Sequence, residues 1–302
     1  MDTAWNVTEF ILLGLTQKQE LQQIYFVLFL FFYAVIVLGN LLIIVMINQS
    51  EHLNSPIYFF LNYLSFVDFC YSSVTARKPK TDFLVERKTI SLGGCMAQLF
   101  WSYFFGFTEI FLLTVMAYDQ YIAICKPLHY TTSSCVVASW VGGFLDSIVQ
   151  TLLSIHLPFC GPNEIDHYFY DVHPLLKLAC TDTYLVGIMV IANTGMISLS
   201  CFVVLIVSYV IILISLKTHS SKGRCKAVST CASHITVVII FFGPCIFMYL
   251  RSSTTFSEDK MVVVFYTIIT PILNPLIYTL RNKEVKNAMR KLGSRKVTLG
   301  VK

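Results

Sequence analysis

Long apolar runs alternate with short polar stretches along the whole chain. Seven runs stand out, at residues 24–47, 57–76, 97–125, 135–157, 184–216, 227–250 and 261–280. Each holds about 20 residues or more, enough for a helix rising ~1.5 Å per residue to cross the ~30 Å hydrocarbon layer of a bilayer. One run alone would also suit a buried core helix. Seven in succession, with few charges between them, point to lipid as the solvent. Gly243-Pro244 and Pro271 fall inside runs, which membrane helices tolerate because neighbouring groups satisfy the freed backbone. The pattern predicts an all-α membrane protein, a bundle of seven transmembrane helices over residues 24–280. A polar tail, 1–23, precedes it and a second tail, 281–302, follows.

Composition agrees. Of 302 residues, 56% are hydrophobic and 13% charged, and mean hydropathy is +0.68. A soluble domain carries roughly a quarter of its residues charged. The net charge of +5 matters less than where the charges lie. From Arg281 onward there are eight Lys or Arg and one acid, Glu284, and residues 217–226 hold four bases and no acid. Residues 1–23 hold three acids and one base. Positive residues favour the cytosolic side, so the N-terminus is expected outside and the tail inside. The basic stretch Arg77-Lys78-Pro79-Lys80 falls outside in this arrangement and runs against the rule. Residues 1–23 lack the basic start and small-residue cleavage site of a signal peptide, so the first span is expected to serve as its own insertion signal. Asn6-Val7-Thr8 is a glycosylation sequon on the outer side, whereas Asn48-Gln49-Ser50 falls in the cytosol.

Chemistry for catalysis is missing. Seven His and ten Cys form neither His-Glu-x-x-His nor Cys-x-x-Cys, so metal-ligand spacing is absent. No Gly-x-x-x-x-Gly-Lys-Ser/Thr loop cradles a phosphate. The bases sit beside the membrane, where anionic lipid and cytosolic proteins are more natural partners than nucleic acid. No enzyme activity, cofactor or metal is expected, and a membrane carrier is a distant alternative. Polar residues inside the spans are costly there and therefore informative. Asn40, Asp68, Glu109, Asp119 and Asn274 are such residues, each equally readable as glue between helices. Asp68 and Glu109 lie near mid-span in adjacent helices and are candidates for a shared proton or a bound sodium ion.

Several strings together resemble one family: "NVTEFILLGLT", "GNLL", "SPIYFFLNYLSFVDFCYSS", "MAYDQYIAICKPLHY", Ser208-Tyr209, "KAVSTCASHITVV" and "PILNPLIYTLRNKEV". They resemble the olfactory receptors, rhodopsin-like G-protein-coupled receptors, over nearly the whole chain. The resemblance implies a receptor that binds a small volatile odorant among its helices. It would then open a cytosolic cleft for a stimulatory olfactory G protein, raising cyclic AMP. It implies residence in the plasma membrane of sensory cilia. It implies ligand contacts at Ser102, Tyr103, Gly106, Phe107, Asn193, Ile197, Phe242, Ile246 and Tyr249. It also implies a switch built from Asn40, Asp68, Asn274, Pro275 and Tyr278, with coupling through Asp119, Gln120, Tyr121 and Tyr209. Trp140 would be the packing tryptophan of the fourth helix. Residues 283–292 place Val285, Ala288, Met289 and Leu292 on one helical face and bases on the other, a short helix lying on the inner membrane surface.

The chain departs from the family pattern in three places. Gln120 stands where the family has arginine after the aspartate, and glutamine offers neither the permanent charge nor the guanidinium fork. Tyr170 stands at the middle cysteine position of the loop from 160 to 180. The resemblance then favours a Cys160–Cys180 bridge, with Cys95–Cys180 as the alternative. The segment between Tyr130 and Trp140 is shorter than usual and lacks bases. These departures support a second reading, a receptor-fold protein that has drifted and traffics or couples poorly.

Overall fold

The computed structural model describes residues 9–12, 19–50, 55–75, 89–125, 132–159, 164–165, 175–176, 178–216, 228, 231–232, 234–244, 268–277 and 285. Seven helical segments fall on the seven apolar runs: α1 (Gln19–Gln49), α2 (Pro56–Thr75), α3 (Leu92–Cys125), α4 (Thr132–Ile155), α5 (Tyr184–Ser215), α6 (His234–Pro244) and α7 (Ile268–Ile277). Among the described residues, α1, α3, α4 and α5 are each long and apolar enough to cross a membrane. Apart from residues 228, 231 and 232, the rest of the sixth and seventh runs lies outside the described residues. So do Asn6, the basic stretch 77–80, the segment 126–131, Cys160, Tyr170, residues 217–226, Ile246, Tyr249 and Tyr278. Of the amphipathic stretch 283–292, only Val285 is described, and it packs into the main core.

Helix ends follow local chemistry rather than hydropathy. Pro56 opens α2, at the position where a missing N–H costs nothing. α3 begins five residues before its apolar run because Ser91 caps it, its Oγ accepting the Gly94 N–H at 3.2 Å. α1 runs outward past the lipid-matched stretch to Gln19, through Gln and Glu residues that are good helix formers. Within the helices, hydroxyls are hidden by bonding back one turn. Ser73, Thr108, Thr114, Ser139, Ser147, Ser154 and Thr236 each donate to the carbonyl four residues earlier. That removes the need for water in an apolar medium.

α3 runs through the middle of the bundle, against α2, α4 and α5. Its closest neighbour is α4. Gly143 of α4 is buried, and a Cβ there would stand 3.0 Å from the Thr108 backbone nitrogen and 3.1 Å from the Phe104 carbonyl oxygen. Glycine is what allows this approach. Trp140, one turn away, packs on Phe104 at 5.5 Å and on Phe66 of α2 at 6.2 Å between ring centroids. Outward faces are apolar and exposed, for example Val27, Leu38, Leu185 and Leu199, as a lipid-facing wall requires.

At the end of the bundle where α3 begins, a small sheet covers it. β1 (Glu9–Leu12) lies between β2 (Thr89–Ser91), antiparallel to it, and β3 (Glu164–Ile165), parallel to it. Phe10 pairs with Ile90 in register. Its side chain is fully buried and meets Phe159 edge-on at 5.4 Å, in a second core with Cys95, Met96, Leu99, Leu157 and Leu175. Nothing in the hydrophobic pattern announced this sheet.

Candidate functional site

The buried polar residues gather in three places along the bundle. The first is its centre. Pro275 has no N–H, so the Pro271 carbonyl one turn earlier lacks its usual helical donor. Asn40 of α1 fills the gap, donating from Nδ2 to Pro271 O at 3.2 Å and to Ile36 O at 3.0 Å. Gly39 makes room, since a Cβ there would stand 3.3 Å from Pro275 Cγ. One turn from Pro271, Asn274 donates from Nδ2 to Asp68 Oδ2 at 2.8 Å. Glu109 of α3 makes side-chain contacts with both Asp68 and Asn274. Asp68 Oδ1, Glu109 Oε1, Asn274 Oδ1 and Asn40 Oδ1 are buried with no hydrogen-bond partner. Four helices thus meet at a cluster rich in acceptors, which suits a proton or a small cation.

The second place is the C-terminal end of α3. Asp119 and Gln120 are buried and Tyr121 is half-buried. Both amide atoms of Gln120 are buried and unpartnered. Tyr209 of α5 hydrogen-bonds through its hydroxyl to Nδ1 of His234 on α6. This histidine lies within "KAVSTCASHITVV", where nothing in the local pattern singles it out. A lone histidine in an apolar helix reads as core until its partner is known.

The third place is the half of the bundle nearer the sheet. Tyr103 stacks on Phe107 at 5.8 Å, and Gly106 leaves space beside the Tyr71 ring. Ser102 is half-buried, its Oγ unpartnered. Phe242 of α6 is buried against Phe202 of α5 at 5.6 Å. Ile197 lines a cleft of about 220 Å³ with Phe111, Met196, Ser200 and Cys201. Met196 and Ser200 are exposed, so the cleft opens on the outer wall of the bundle. Asn193 is engaged, donating from Nδ2 to Asp146 Oδ1 at 2.6 Å.

Asp146 was missed in the sequence. It is a carboxylate in an apolar run, the same signal that singled out Asp68 and Glu109. Cys180 is disulfide-bonded, and its N–H donates to the Pro158 carbonyl at 2.9 Å. Cys95 is buried in the core beneath the sheet. Among the described residues no three His, Cys, Asp or Glu side chains gather in one place.

Comparison with known proteins agrees with this architecture. The family model described as "Olfactory receptor" matches residues 29–296. The chain is 63% identical to olfactory receptor 4S2 of Homo sapiens, over 100% of the chain and 99% of that relative. It is 59% identical to olfactory receptor 4X2 of Homo sapiens, over 98% of the chain and 100% of the relative. With olfactory receptor 4B13 of Mus musculus the identity is 57%, over 94% and 96%. A match across nearly the full length at this identity leaves no room for the carrier alternative or for an enzyme: this chain belongs to the olfactory receptor family, a rhodopsin-like G-protein-coupled receptor of the membrane.

Proposed function

We propose that the chain is an odorant receptor of the plasma membrane. A small volatile ligand binds in the outer half of the bundle and biases the inner ends of α5 and α6 toward a packing that admits a stimulatory olfactory G protein, which raises cyclic AMP. The N-terminus lies outside, glycosylated at Asn6, and the tail lies in the cytosol, in sensory cilia. The observation that carries this reading is the buried polar centre of Asn40, Asp68, Glu109 and Asn274. Interiors that are only scaffolding satisfy their polar groups. This one keeps four acceptors open across four helices, so a proton or sodium ion held between Asp68 and Glu109 would favour one packing over another. A ligand shifts such an equilibrium only by its differential affinity for the two packings. The apolar aromatic surroundings of Tyr103, Phe107 and Phe242 suit a small, weakly polar ligand.

A second reading is favoured by Gln120. Its amide is buried without partners, at the place where the resemblance calls for an arginine able to reach the G protein. In that reading the chain folds and binds but couples poorly. The test is a cyclic AMP screen of an odorant panel in cells, with surface amounts measured in parallel. Responses to a subset of odorants support the receptor reading, and silence at normal surface amounts supports the second.

A further inference from the structure

We propose that Asp146 and Gln150 of α4, with Asn193 and Thr194 of α5, form the polar end of the ligand pocket, and that they select a ligand bearing a primary amine. The proposal deepens the odorant-receptor reading and rests on it. Asp146 and Gln150 are one turn apart on one side of α4, and both are buried. Across the interface, Asn193 donates to Asp146 Oδ1 at 2.6 Å, and Gln150 donates from Nε2 to Thr194 Oγ1 at 2.9 Å.

What they leave over is one-sided. Asp146 Oδ2 and Gln150 Oε1 are buried with no donor in reach. Both are acceptors, while the Asn193 amide donates to the other oxygen of Asp146 and the Gln150 amide to Thr194. A buried acceptor without a donor is costly, and more so on a carboxylate. The group that answers two acceptors, one of them acidic, is one with several donors and no acceptor. An ammonium is such a group, whereas an alcohol, aldehyde or ester brings an acceptor of its own into the same space.

Placement agrees. Asn193 stands one turn from Ile197 on the same side of α5, and Ile197 lines the apolar cleft of about 220 Å³. A short hydrocarbon body attached to an amine at Asp146 therefore has, within one turn, an apolar cleft that opens on the wall of the bundle, and the ligand enters from that side. A carboxylate two helices away from the central Asp68 is also unneeded for the switch described above.

The test uses the full-length chain, purified into lipid nanodiscs, with hexylamine and hexanol as probes. Thermal stabilisation reads binding without requiring G-protein coupling, so the site is tested even if the chain is silent in cells. The native chain is expected to be stabilised at a concentration at least tenfold lower by hexylamine than by hexanol. Asp146→Asn keeps the shape and an oxygen for Asn193 but turns the open acceptor into a donor, and should abolish that preference. Gln150→Leu, which keeps the carboxylate, should reduce it in part and serves if the Asp146 variant does not fold. Equal stabilisation by both probes in the native chain overturns the proposal, as does a preference that survives Asp146→Asn. A cyclic AMP response to neutral odorants alongside either of those results would leave the receptor reading standing and remove only the amine site.

Discussion

Gly143→Ala adds one methyl group at the closest approach of α3 and α4. That methyl would stand 3.0 Å from the Thr108 backbone nitrogen and 3.1 Å from the Phe104 carbonyl oxygen. The Thr108 hydroxyl is nearer still, and it is held in place by its own bond to the Phe104 carbonyl at 2.6 Å. Two of the three obstructing atoms are backbone, so rotating a side chain cannot relieve the contact and the helices must part. Overpacking of this kind costs about 1–3 kcal/mol. Alanine in a helix also gains about 1 kcal/mol over glycine, so the net loss alone would understate the clash. Gly195→Ala in α5 is the control, because a Cβ there meets nothing within 4 Å. The difference between the two variants, about 1–3 kcal/mol, isolates the contact. Thermal unfolding of each purified variant in nanodiscs, followed by tryptophan fluorescence, should place Gly143→Ala several degrees below Gly195→Ala (roughly 2–4 °C per kcal/mol for a chain of this order). If Gly143→Ala melts at or above the control, the two helices are not packed as described. Because Asp146 and Gln150 follow on the same side of α4, the same variant should also disturb the polar seam with α5.

Three further expectations bear on the outer end and the orientation. Phe10→Ala empties a fully buried site at a cost of about 3–5 kcal/mol. Hydrogen exchange should then quicken at residues 9–12 and 89–91 while α2 and α3 stay protected, and uniform loss of protection would show that β1 is not a separate cover. A tag at Met1 should be labelled on intact cells and one at Lys302 only after permeabilisation, and the opposite staining would reverse the topology. Non-reducing peptide mapping should recover Cys160 joined to Cys180, with Tyr170→Cys raising surface expression by restoring a tie to Cys95, whereas a Cys95–Cys180 pair in the native chain would show the other bridge.

Hydropathy made the seven helices legible because each needs only a lipid-length apolar run, and lipid is indifferent to fine sequence detail. It missed where helices end outside that layer. The cap at Ser91 and the extension of α1 to Gln19 depend on backbone donors and helix propensity, which carry no hydropathy signal. The strands of the outer sheet have two to four residues each, too few for an alternating pattern to show. At the polar sites, rare intramembrane residues were visible one by one, but their partners were not. Asn40 and Pro271 are 231 residues apart, and Asp68 and Asn274 are 206 apart. No local periodicity links such pairs, yet the missing N–H of Pro275 explains why Asn40 is needed where it is. The same reasoning applied to the apolar run 135–157 marks Asp146 itself but not its partner Asn193, 47 residues away. His234 gains meaning only from Tyr209 across the bundle.

The most direct test of the central claim is the concentration dependence of odorant-evoked cyclic AMP, measured for the native chain and Gln120→Arg at equal surface amounts, in cells with and without the stimulatory olfactory G protein. A receptor whose coupling is limited at position 120 should give a larger maximal response in the arginine variant, and neither chain should respond once the G protein is removed. Silence of both chains at equal surface amounts, or a response that persists without the G protein, would contradict the account.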